Sequence, residues 1–139
     1  MPSSTDPAPV RAATARNAVL LAALADAALI LTFAAIGRDA HQRGDVISGV
    51  LLTAWPFLAG AAIAWLGLRV WRAPLRVWPA GVAVWLGTVA LGMGLRAVTG
   101  QTVVLPFVIV ALLSLGTFLL GYRLIAAAAG RLKRRRLLR

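Results

Sequence analysis

The chain has 139 residues, 60% of them hydrophobic and only 14% charged, where a soluble domain carries about 25% charge and about 45–50% apolar residues. It contains no cysteine, which excludes disulfides, thiolate catalysis, iron–sulfur ligation and cysteine zinc sites. Its formal net charge of +11 would suit a nucleic-acid binder if the cations shared one soluble face, but they sit at the ends of apolar runs, so a lipid bilayer and not nucleic acid is the expected partner.

Residues 1–16 open with the Pro/Ser-rich stretch MPSSTDPAP, which has no apolar period and reads as a disordered cytoplasmic lead. The first apolar run, Asn17–Ile36, is NAVLLAALADAALILTFAAI. Twenty such residues make a helix about 30 Å long, the thickness of a hydrocarbon core. A signal-peptide core is shorter, about 7–15 residues, so an uncleaved first membrane helix is expected. The run carries one charge, Asp26, near its middle. A carboxylate at that depth costs roughly 2.5–3.5 kcal/mol to insert and must face protein or water, which makes it a candidate functional group. The plainer role is a hydrogen-bonded carboxylate that fixes helix packing.

A polar connection, GRDAHQRGD (37–45), leads to the second helix over about 46–68, which is free of charge. Pro56 lies inside it, predicting a kink after Leu52 with Thr53 near enough to satisfy the freed carbonyl. Gly49, Thr53, Pro56, Gly60, Ala64 and Gly67 mark a small-residue face for close helix approach, flanked by Trp55 and Trp65. The connection RVWRAPLR (69–76) precedes a third helix over about 77–96, with Pro79 in its first turn. A fourth follows over about 103–123, closing a membrane domain over 17–125, and a basic tail, 126–139, ends the chain.

Orientation follows from the cations. Arg11, Arg16, Arg69, Arg72, Arg76, Arg123, Arg131, Lys133, Arg134, Arg135, Arg136 and Arg139 fall on one side, against Arg38, Arg43 and Arg96 on the other. Positive flanks stay inside, so both termini are expected in the cytoplasm of a multi-pass protein of the inner (plasma) membrane. In the tail, Lys133, Arg134, Arg135 and Arg136 are the candidates for contact with anionic lipid headgroups.

Counting depth from the ends of each span puts Asp26, Pro56, Thr88 and Ser114 in one layer at the midplane. Trp85, Thr88, Gly92 and Arg96 share a face of the third helix at i, i+3, i+7 and i+11, suiting either helix packing or a ligand. Arg96 is roughly 10 Å or more from Asp26 along the axis, so no direct pair between them is expected. The first connection holds Arg38, Asp39, His41, Arg43 and Asp45 on the outer side; with Arg96 its cations ring an outer mouth that suits an anion, and the plainer reading is a solvated loop whose charges face water. His41 is the sole histidine, which excludes a multi-histidine metal site within one chain. No phosphate loop, zinc-protease pair or nucleophile elbow occurs, so catalysis is disfavoured and no cofactor is expected.

The stretches LADAALILTFAAIGRDAH (24–41), TAWPFLAG (53–60) and WPAGVAVWLGTVALGMGLRAVTGQ (78–101) together resemble a family of small prokaryotic membrane proteins catalogued as domain of unknown function 3054. The matching residues are Asp26, Gly37, Arg38, His41, Trp55, Pro56, Phe57, Trp78, Trp85, Gly92 and Arg96. The resemblance implies four membrane helices and brings no activity or ligand. In plan alone, four helices with a lone carboxylate in the first also resemble small multidrug exporters. The reading is an all-α integral membrane bundle of four transmembrane helices. Its binding candidates are Asp26, Arg38, His41, Trp55, Trp85, Thr88 and Arg96. The expected role is a small transporter or permeation protein, with a homodimer supplying room for a path. The alternative is a scaffold subunit whose Asp26 pairs with a partner helix.

Overall fold

A computed structural model describes residues 7–39 and 45–139. Four helices follow one another: α1 (Pro7–Asp39), α2 (Val46–Gly67), α3 (Val82–Val98) and α4 (Leu105–Leu137). Among the described residues there is no strand. All four spans are long and apolar enough to cross a bilayer, and their outward faces carry Leu20, Leu24, Leu51, Ile63, Ile109 and Leu113 in exposed positions. The protein is an integral membrane bundle of four helices. An even number of spans brings both ends of the chain to one face, called here the terminal end.

Three boundaries differ from those expected. α1 starts at Pro7, so residues 7–16 are helical and not disordered; residues 1–6 lie outside the described part. Ala8, Ala12, Ala13 and Ala15, with two arginines, are strong helix formers, and proline suits a first helical position. α4 likewise runs through the basic tail to Leu137, carried by Ala126–Ala129 and a Leu/Lys/Arg sequence of high propensity. At 33 residues each, these helices are about 50 Å long, well beyond a core of about 30 Å. The third difference is at Val77. Residue Trp78 is extended (φ −120°, ψ 134°), as the residue before a proline prefers. Val77–Gly81 therefore forms a wide π-turn, and α3 begins only at Val82.

Pro56 does not divide α2, which stays one helix with Pro56 buried inside it. Of the small-residue face, Pro56, Gly60 and Ala64 are buried, whereas a side chain at Gly67 would meet open space. α2 and α3 meet backbone to backbone. A Cβ on Gly60 would lie 3.0 Å from the Gly92 nitrogen and 3.1 Å from the Thr88 carbonyl oxygen. One on Gly92 would meet the Phe57 ring at 2.5 Å. α3 meets α4 through Trp85, whose indole N–H donates to the Leu112 carbonyl at 2.9 Å and whose ring covers Gly116. Phe33, Phe57 and Phe107 close the bundle's middle, the first two edge to face at 5.5 Å and both 6.2 Å from the third. Ile30, Val84, Leu115 and Leu119 complete a dry core below them.

Candidate functional site

Asp26 is buried on α1 and opposed by Arg123 of α4, 97 residues away in sequence. The two groups meet fork to fork: Nη1 donates to Oδ1 and Nη2 to Oδ2, each at 2.8 Å. The Tyr122 hydroxyl donates to Oδ1 at 2.7 Å and the Trp65 indole N–H to Oδ2 at 2.9 Å. The carboxylate thus accepts four hydrogen bonds from its own chain. Arg123 spends its remaining reach on backbone, Nη1 on the Leu119 carbonyl at 2.9 Å and Nε on the Pro74 carbonyl at 3.0 Å. Neither side chain is more than 3% exposed. Planar, bidentate, charge-assisted bonding is the arrangement in which a buried arginine–carboxylate pair best offsets its desolvation.

This geometry replaces the layer expected around Asp26. Its partners are Trp65, Tyr122 and Arg123, not Pro56, Thr88 or Ser114, and it lies level with the Pro74 connection toward the terminal end. Arg123, counted among the flanking cations, is an interior residue. The missed signal was Arg123 itself, which stands between the apolar run 103–122 and the stretch Leu124–Ala129 and so is a second charge within an apolar helix.

A second cluster lies at the opposite end. Arg38 at the end of α1, Thr53 and Trp55 of α2, Arg96 near the end of α3, the connection 99–102 and Phe107 of α4 surround a half-open cavity of about 710 Å³. Arg38 packs on Gly49, where a side chain would collide with its guanidinium, and its Nη1 donates to the Val46 carbonyl at 3.1 Å. Arg96 donates to Gln101 Oε1 at 2.8 Å and to the Thr102 carbonyl at 3.1 Å. Its guanidinium lies 4.6 Å from the centre of the Phe107 ring, and its Nε is buried without a partner. Among the described residues no acidic side chain lines this cavity. Two cations above an aromatic floor suit an anion that carries an apolar part.

The structure therefore brings Arg38, Trp55 and Arg96 together and sets Asp26 apart from them. Trp85 and Thr88 belong to neither cluster. Trp85 pins α3 to α4, and Thr88 is fully buried with its hydroxyl unpartnered, so the α3 stripe packs against its neighbours through Trp85, Thr88 and Gly92 and reaches the cavity only at Arg96. His41 lies outside the described residues. Lys133, Arg134, Arg135 and Arg136 are exposed on the last turns of α4. Among the described residues no three His, Cys, Asp or Glu side chains gather to hold a metal ion.

The family model described as "Protein of unknown function (DUF3054)" matches residues 23–126. No curated protein and no solved structure matches the chain.

Proposed function

We propose that this chain, which belongs to that family of unknown function, is a small membrane transporter or permeation protein for an anionic, partly apolar solute. The observation that carries this reading is the convergence of Arg38 and Arg96 on one cavity of about 710 Å³, with no acidic side chain among its described lining residues. Phe107 lines it, backed by the buried rings of Phe33 and Phe57, and the Asp26–Arg123 pair closes the bundle beyond. A scaffold role that depends on Asp26 reaching a partner helix has less in its favour, since all four bonds to that carboxylate come from its own chain. A second copy of the bundle would add wall to a path that four helices enclose only in part.

The test is flux of benzoate, an anion of suitable size, into liposomes holding the purified protein. The R38Q/R96Q variant should lose most of it, about 30-fold or more if each arginine contributes about 1 kcal/mol of attraction. Flux equal to that of empty liposomes, or unchanged in the variant, would end the proposal.

Orientation is part of the same reading, with the terminal end cytoplasmic because it holds most of the arginines. A cysteine placed at Ser3 should react with an impermeant reagent only after permeabilisation, and one at Gln42 without it. The reverse pattern would invert the assignment of the cavity to the outer face.

A further inference from the structure

Beyond the two clusters above, a cleft of about 430 Å³ opens at the terminal end between α1, the connection 73–78 and α4. Ala18 and Ala127 leave its space, Arg76 and Arg131 stand in its wall, and Trp78 is at its rim. We propose that this cleft binds the phosphodiester headgroup of an anionic phospholipid of the inner leaflet.

Charge is the first reason. The sequence has no acidic residue after Asp45, and Asp26 is engaged by Arg123. Asp26–Arg123 is the one ion pair among the described residues. Arg76 and Arg131 approach the cleft from different segments, with no acidic side chain among the described residues of its wall. A guanidinium offers a planar fork of N–H donors that fits phosphate oxygens two at a time, so a phosphate group between the two answers both.

Depth is the second. Ala18 precedes Asp26 by eight residues and Arg131 follows Arg123 by eight. α1 and α4 run in opposite directions, so both positions lie about 12 Å from the buried pair on the same side. Trp78 is 73% exposed there, a poor site for an indole in water and a good one at the level of headgroups. The anionic leaflet is the cytoplasmic one, the side to which the arginine distribution assigns this end.

Preorganisation is the third. The connection that carries Arg76 and Trp78 is held to α4 by the bond from Arg123 Nε to the Pro74 carbonyl, and the π-turn that follows is closed by the Gly81 N–H on the Arg76 carbonyl at 2.9 Å. The run Lys133–Arg136 has no such wall: it is an exposed helix surface that attracts anions without placing them.

The experiment is native mass spectrometry of the full chain in mild detergent, with equal amounts of phosphatidylglycerol or phosphatidylcholine added. Phosphatidylglycerol adducts should dominate, and R76Q/R131Q should reduce them by about 30-fold, to the phosphatidylcholine level. Both arginines are exposed, so the variant should elute as the parent does, and each single substitution gives an intermediate loss if the two act together. A variant with glutamines at 133–136 should keep the adduct. Equal adducts with both lipids overturn the proposal, as does loss in the 133–136 variant with retention in R76Q/R131Q. An adduct displaced by millimolar inorganic phosphate makes the site one for free phosphate and overturns the lipid assignment.

Discussion

Replacing Arg123 by methionine should lower the unfolding free energy of the bundle by about 3–5 kcal/mol, the usual cost of removing one partner from a buried ion pair. The substitution keeps most of the apolar volume but leaves the Asp26 carboxylate buried with only Trp65 and Tyr122 donating to it. It also releases the Pro74 carbonyl, so the connection 73–78 loses its anchor. The double variant D26L/R123M should recover most of the loss, because a buried pair replaced by apolar groups of like volume is often neutral or stabilising. Unfolding in mixed micelles, followed by tryptophan fluorescence, measures both. A single variant within about 1 kcal/mol of the parent would mean that the carboxylate finds water or another donor, and the assignment of Arg123 as its required partner would fall.

Gly60→Val should cost about 3 kcal/mol, the upper end for inserting methyl groups into a packed contact. A Cβ there already meets the Gly92 nitrogen, the Thr88 carbonyl and the Leu91 Cβ at 3.0–3.2 Å. Two of these atoms belong to the α3 backbone and cannot yield alone, so α2 and α3 must separate as bodies. Separation also unseats Phe57 from Gly92 and disturbs its ring contacts with Phe33 and Phe107. Gly94→Val is the control. It lies on α3, the helix that Gly60 faces, with nothing within 4 Å, so it should change stability by no more than about 0.5 kcal/mol. Equal losses in the two variants would show that helix propensity, and not close approach, decides the effect.

The four spans were legible because each is a continuous apolar run bounded by charge. Their ends were less so. Residues 7–16 and 126–137 are helical on propensity alone, and an apolar window stops where the charges begin, not where the backbone does. The cluster opposite the terminal end was half legible: Arg38 and Arg96 could be placed at one mouth by their positions at the ends of odd-numbered helices, whereas Trp55 joined it through a rotation of α2 that only packing sets. Asp26 was recognisable as a group needing company. Its partner was not found, because Arg123 was grouped with the tail, and the layer drawn through Pro56 and Thr88 assumed that all helices share a common depth. α1 and α4 instead slide until two charges meet. Thr88 shows the limit of composition: a hydroxyl on that face suited helix packing or a ligand alike, and it lies buried and unbonded in the α2–α3 seam.

The distance along the chain between Asp26 and Arg123 has a consequence for biosynthesis. Ribosomes add about 5–20 residues per second, so the 97 positions between these groups correspond to roughly 5–20 s of translation. Through that interval α1 carries a carboxylate whose cation does not yet exist, at a cost of roughly 2.5–3.5 kcal/mol. Trp65 arrives earlier and offers one donor; Tyr122 and Arg123 arrive together, in the last helix. The buried pair is therefore among the last contacts the bundle can make, and a chain cut short after α3 lacks it.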